Sequence, residues 1–401
     1  MTIATHEVTP DELLERARAL RPLLTERAAE TEALRRPPED LHQAVDDAGF
    51  YRLLMPRRYG GIETDIATYA QIWIEMARGD MSAGWCMCLM ANHALQVGSW
   101  FPEQAQDEIF GADGSFRAPA VIFPLSEPAR RTADGWELNG TVSYCSGAPY
   151  CTHYLGQAQD ADGRPLVFVA PRSAFEVLDD WGDLIGLKGS GSNSLRFDRA
   201  LVPHHWVLED AAMTAVDVSR GTPGLRLHGN PMYSGRTACF FSITVACTMV
   251  GAALGALDEF ERILRTRPTT RPPFRPRVED PEFQRIFGTA LGKIRAAEAG
   301  VVRAAELHTD NCRAAAEGER PYTYADDMLV GVIAREAGAA AWDAMQTWIY
   351  RYAGSSASRG GERLERIFRD MATGWGHFQT ANDTFFQGEL ARAYLGEQAP
   401  D

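Results

Sequence analysis

The sequence predicts a mainly helical protein with a β-domain at its centre. Residues 1–115 set apolar side chains at helical spacing between charges. Residues 116–220 are short alternating runs broken by Gly, Pro, Asn and Asp. Residues 221–401 return to long helical patterns. In the first part, PDELLERARALRPLLTERAAETEALRR reads as one helix, stopped by Pro37 and Pro38. Pro38 with Glu39 and Asp40 opens a second helix and Gly49 closes it. Pro56 and Gly60-Gly61 mark a loop, and further helices are expected over 64–78 and 82–97.

In the central part, WELNGTVSYCSG, PLVFVAP, FEVLDDWGDLI and NSLRFDRALVP read as strands, with hairpin turns at Asp134-Gly135 and Asp162-Gly163. No rhythm of strand and long helix runs through it, so a small antiparallel barrel or sandwich is expected. The last part reads as helices over 235–266, 281–317, 323–354 and 361–387, joined at 268–276 by a proline- and arginine-rich connection. Their length suggests a bundle, and GAALGAL and REAGAAAWDAM allow close helix approach.

A net charge of -14 disfavours a nucleic-acid partner, and no basic stripe compensates for it. Seven cysteines in 401 residues are too few and too irregular for a disulfide framework; free thiols in a reducing, cytoplasmic setting are expected. The start lacks the apolar core of a signal peptide. Thr237 to Leu257 carries no charge and is long enough to cross a bilayer, but its Ser, Thr, Ala and Gly content reads as a helix buried in a bundle, not a membrane span.

No GxGxxG, GxxxxGK[ST] or HExxH occurs, and no metal site is expected. His204-His205 on an extended chain would point oppositely and make a poor metal pair. Asp179-Asp180 and Asp326-Asp327 read as solvent-facing or capping carboxylates. Ser146 lacks the GxSxG setting of a nucleophile. LKGSGSNSL, residues 187–195, leaves backbone N–H groups and hydroxyls unobstructed, which suits a flavin edge, a phosphate or a plain turn. His93 in MANHALQ and His377 in GWGHFQTANDTFF sit in apolar surroundings, either as core groups or as proton-exchanging ones. Trp85, Phe240, Phe241, Trp342, Trp348 and Trp375 suit an aromatic pocket or the core.

MPRRYGG at 55–61, GDMSAGW at 79–85, WELNGTVSYCSGA at 136–148, DDWGDLIGLKGSGSNSLRFDRALVP at 179–203 and RLERIFRD at 363–370 occur in an order that resembles the acyl-CoA dehydrogenase superfamily. Within it the chain is similar to the two-component flavin monooxygenases, such as p-hydroxyphenylacetate hydroxylases and dibenzothiophene monooxygenases. The resemblance covers residues 12–395. It implies an N-terminal helical domain, a β-barrel or sandwich and a C-terminal four-helix bundle, in a homotetramer.

The resemblance also implies a reaction. Reduced FMN or FAD arrives from a separate NAD(P)H:flavin reductase and meets O2 to form a C4a-hydroperoxide, which hydroxylates a small aromatic or polycyclic molecule. His377, His93 and Ser146 are the implied catalytic residues. Ser146, Gly147, Lys188, Gly189, Ser190, Ser192 and Arg369 are the implied flavin contacts. No glutamate follows Arg369-Asp370 until Glu389, where common dehydrogenases place their base. The sulfur-oxidising relatives carry a second histidine where this chain has Gly374. The alternatives are an acyl-CoA or acyl-carrier dehydrogenase with a displaced base, an N-oxygenase acting on an amine or amino sugar, and a helical scaffold without flavin.

Overall fold

The computed structural model describes residues 8–111, 114–236, 240–381 and 383–396. The N-terminal layer starts with α1 (Pro10–Leu34), set by a capping box in which Thr9 and Glu12 bond each other's backbone N–H. Then come α2 (Glu39–Asp47), α3 (Ile66–Gly79), α4 (Met81–Asn92), α5 (Ala94–Trp100) and α6 (Glu103–Phe110). The stretch read as one helix over 82–97 is broken at His93, which ends α4 and precedes α5.

The central domain is a sandwich of two four-stranded sheets. One has the order β1 (Ala120–Pro124), β4 (His153–Gln159), β5 (Pro165–Pro171), β8 (Val207–Glu209); the other β2 (Arg130–Arg131), β3 (Trp136–Val142), β7 (Leu195–Val202), β6 (Glu176–Val177). It is not wholly antiparallel, because β1 runs parallel to β4. Of FEVLDDWGDLI only Glu176–Val177 is strand; the rest is irregular, and its Trp181, Leu184 and Ile185 line a cavity. β5 shows why PLVFVAP is apolar throughout. Leu166, Phe168 and Ala170 face the other sheet, while Val167 and Val169 join a second core with Val97 and Phe101 of α5 and its exit. His204 and His205 lie in a short 3-10 turn, where His205 Nε2 meets Glu108 Oε2 at 2.6 Å.

The C-terminal layer holds α7 (Pro223–His228), α8 (Phe240–Thr266), α9 (Pro281–Ala316), α10 (Tyr324–Asp343), α11 (Arg351–Ala353), α12 (Arg363–Trp375), α13 (Phe378–Ala381) and α14 (Asp383–Leu395). Between α10 and α11 the coil widens to a π-helix over Ala344–Tyr350. The helix expected over 361–387 breaks at Gly376 and His377. Apolar helix α8 is buried along its membrane-length window, packed against α3, α9 and α10; residues 237–239 of the uncharged run lie outside the described residues. A Cβ on Gly251 would stand 2.4 Å from the Ile74 carbonyl and one on Gly255 2.5 Å from that of Arg78. These glycines let α8 lie against α3, and the bidentate Arg78–Asp258 pair at 2.7 Å locks the crossing. Asp326 caps α10 as the sequence suggested, whereas Asp327 is buried beside Tyr322.

Candidate functional site

All three layers meet at a cavity of about 680 Å³. Helices α4 and α8 supply Trp85, Phe241 and Val245, and the junction of α4 and α5 supplies His93. The β-domain supplies residues 119–123 from β1 and its approach, and Ser143, Tyr144 and Ser146 after β3. Residues 181–192 and the α12–α13 break supply Trp181, Ser192 and His377. No carboxylate occurs among the described lining residues.

His93 is buried, and its Nδ1 lies 2.6 Å from the Ala118 carbonyl. A carbonyl only accepts, so Nδ1 carries the proton and the neutral ring keeps a lone pair on Nε2. Burial pushes its pKa down to about 4. His377 sits where α12 ends, edge-on to Trp85 with ring centroids 5.2 Å apart. Desolvation by the surrounding bundle lowers its pKa to about 4 as well. Both imidazoles are therefore neutral at physiological pH.

A line of hydroxyls also borders the cavity. Trp85 Nε1 donates to Ser146 Oγ at 3.1 Å; Ser146 and Ser192 are 2.8 Å apart, Ser192 and Ser190 2.7 Å; and Ser190 donates to the Leu187 carbonyl at 2.7 Å. Leu187 is held with φ 53°, a left-handed conformation that a leucine adopts only under restraint. Its N–H donates to Asp370 Oδ1 at 2.6 Å, and Ser82 donates to Asp370 Oδ2 at 3.1 Å. Asp370 is buried, and burial lifts its pKa to about 6. The neighbouring Asp80 is lifted to about 7, by burial and then by the charge of Asp370.

The structure thus brings Ser146, Ser192, His93 and His377 to one cavity, with Ser190 directly behind. Lys188 and Gly189 open the same turn without lining the cavity, and Gly189 backs onto Thr31. Gly147 turns the chain at φ 83° against Met90. Arg369 is spent elsewhere. It pairs with Glu365 and, at 2.9 Å, with Glu32, and donates to the Ile185 carbonyl at 2.9 Å, so it fixes the outside of the loop instead of lining the cavity. Of the aromatic candidates Trp85 and Phe241 line the cavity, while Phe240, Trp342, Trp348 and Trp375 pack in the bundle. Sequence reasoning missed Trp181, Phe123, Tyr144, Phe378 and Asp370; Trp181 and Asp370 stood inside the quoted DDWGDLI and RIFRD runs. Gly374 faces Met81 Cε and Met249 Sδ, 2.8 and 3.1 Å from where a Cβ would stand, so the space of a second histidine is filled by methionine.

Residues 11–107 match the acyl-CoA dehydrogenase N-terminal domain model, and residues 243–382 match the acyl-CoA dehydrogenase C-terminal domain model. The chain belongs to the acyl-CoA dehydrogenase family. Within that family it is similar to the flavin-dependent monooxygenase oxygenase subunit HsaA of Rhodococcus jostii (strain RHA1), 33% identical over 61% of this chain and 63% of that protein. That alignment spans less than two thirds of the relative. Similarity to the p-hydroxyphenylacetate 3-hydroxylase oxygenase component of Acinetobacter baumannii is 24% and extends over 100% of this chain and 93% of that one. The solved 3-HSA hydroxylase from Rhodococcus sp. RHA1 superimposes with a TM-score of 0.86 at 25% identity, covering 100% of this chain and 99% of that one. A cavity that is aromatic and aliphatic on most sides, with one serine-lined wall, fits the flat flavin ring with its single polar edge. Among the described residues no group of three His, Cys, Asp or Glu is placed to hold a metal.

Proposed function

We propose that this chain is the oxygenase component of a two-component flavin monooxygenase. It takes reduced FMN or FAD from a separate NAD(P)H:flavin reductase in the cytoplasm, works as a homotetramer and hydroxylates a small aromatic molecule with O2. One observation carries the choice over a dehydrogenase. The cavity is lined by two neutral histidines and no described carboxylate, so nothing in it suits removal of the proton beside a thioester carbonyl. Glu389, the first glutamate after the Arg369-Asp370 pair, bonds Tyr324 and Arg392 and does not line the cavity.

Bound reduced flavin supplies two electrons, so one atom of O2 enters the product and the other leaves as water. The chain's own residues do the rest. Leu89, Phe241, Val245 and the β1 residues exclude water. His93 Nε2 accepts the substrate O–H, drawing electron density into the ring. His377, neutral and beside Trp85, takes up or returns a proton near the reacting carbon. Ser146 and Ser192 hold the polar edge of the flavin.

Rapid mixing of the reduced flavoprotein with labelled oxygen and a phenol panel tests this. One labelled atom per product is expected. Anaerobic bleaching of bound oxidised flavin by an acyl thioester, with an enoyl product, would overturn the proposal in favour of a dehydrogenase. Label on nitrogen of an amine, with none on any phenol, would replace the substrate class.

A further inference from the structure

Gln96 is fully buried in α5, yet neither Oε1 nor Nε2 of its amide meets a partner among the described residues. A buried polar group left unpaired is costly, and turning the amide over changes nothing when both ends are bare. Gln106, equally buried, shows the structural use of the same side chain. It donates to the Gly98 and Phe101 carbonyls at 3.1 and 2.8 Å, and its Oε1 lies 2.9 Å from His228 Nε2. Gln96 has no such employment. Asn92, one turn earlier and also fully buried, reaches Thr244 Oγ1 only at 3.5 Å, and its Oδ1 has no partner either.

Both amides continue the stripe that faces the cavity. Trp85 and Leu89 line it, and Asn92 and Gln96 follow at steps of three and four residues, on the same helical face. His93 separates α4 from α5 but keeps φ -74° and ψ -7°, so the chain holds its course there. Phe241 lines the cavity beside His93, ring centroids 5.7 Å apart, and Thr244 stands one turn further along α8. No Lys, Arg, Asp or Glu occurs among the described lining residues. An uncharged amide complements a neutral oxygen, such as a ketone or a hydroxyl, whereas a carboxylate would be buried there without a cation.

We infer that Gln96 and Asn92 form a polar subsite at the His93 end of the cavity, entered when the Phe241 ring turns aside, and that they select phenols carrying a second, uncharged oxygen. This rests on the monooxygenase reading above and names its substrate class. Three residues of helix rise about 4.5 Å. A substrate whose hydroxyl meets His93 therefore brings its meta substituent toward Gln96.

The test is anaerobic calorimetric titration of the full chain, loaded with reduced flavin, with 3-ethylphenol, 3-hydroxyacetophenone and 3-hydroxybenzoate. These place an ethyl group, a ketone and a carboxylate at the same ring position. The wild type is expected to bind the ketone at least roughly tenfold more tightly than either of the others, the scale of one buried hydrogen bond. Gln96→Met, which keeps the length and removes the amide, should weaken the ketone roughly tenfold and tighten 3-ethylphenol about threefold. Gln96→Leu repeats the measurement with a shorter apolar side chain. Equal shifts for all three phenols, or a wild type without ketone preference, overturn the inference; a glutamine that serves only to hold water would behave in that way. Admitting labelled O2 to the same complexes tests the underlying reading separately. Labelled product without a preference sinks the inference alone, a preference without labelled product sinks the monooxygenase reading, and no binding of any phenol sinks both.

Discussion

The serine wall, carried by residues 143–146 and 187–192, differs from the helical wall around His93 and His377 in how its polar atoms are tied. On the serine wall Ser146, Ser192, Ser190, Leu187 and Asp370 bond one another in that order, and a buried polar group that is fully partnered is rigid. On the helical wall each histidine stands at a helix break among apolar groups, with its charge suppressed. A network with its protons committed suits recognition. A neutral imidazole that lines the cavity suits proton exchange with a ligand.

Replacing the histidines tests the helical half of this contrast. His377→Ala should cut coupled product formation roughly 10²–10⁴-fold. Flavin affinity should stay near the wild-type value, because the serine wall is untouched; product yield per O2 consumed, measured beside a flavin titration, checks both. Equal loss of coupling and flavin binding would place His377 on the recognition side. His93→Ala should cost roughly 10²-fold and raise KM for a phenol, while an aromatic substrate without O–H loses much less.

Gly186 supports the serine wall from outside. A Cβ there would stand 2.0 Å from the Arg369 carbonyl, and backbone cannot step aside as a side-chain end can. Gly186→Ala should destabilise by about 2–3 kcal/mol in denaturant unfolding. A Cβ on Gly374 would crowd the flexible ends of Met81 and Met249 and meet the Trp85 ring at an ordinary 3.5 Å, so Gly374→Ala should cost under about 1 kcal/mol, part of it offset by the better helix propensity of alanine.

Acid and base should act on the buried histidines and the buried carboxylates in opposite directions. His42, His93, His308 and His377 have folded pKa values near 4, below the unfolded value, so their contribution is present above about pH 6.5 and is lost as pH falls toward 4. Asp80 and Asp370 are raised to about 7 and about 6, so theirs is present in acid and lost as pH rises through those values. Tm should peak near about pH 6.5, and Asp80→Asn should flatten the alkaline limb. A profile that keeps rising above pH 7 in the wild type would show that the carboxylates do not ionise unfavourably in the fold.

Much of this was legible in the chain. Helical periodicity placed the long helices to within a few residues, Asp134-Gly135 and Asp162-Gly163 lie at the expected hairpins, and the ordered runs from MPRRYGG to RLERIFRD carried the family. The breaks at His93 and Gly376 were not read from the chain, although Asn92, Gly374 and Gly376 are weak helix formers, because the apolar periodicity runs on across both. Nor was the fate of Arg369, whose glutamate partner Glu32 lies in the first helix.

Residue spacing alone settled which segments coil and which alternate, since those preferences act over a few neighbours. It also settled that Gly251 and Gly255 leave room for another helix. Only tertiary structure decided that Trp85, Ser146, Ser192 and His377 share one cavity. That fact depends on groups brought together from distant parts of the chain, in water-excluded surroundings where every donor must find an acceptor.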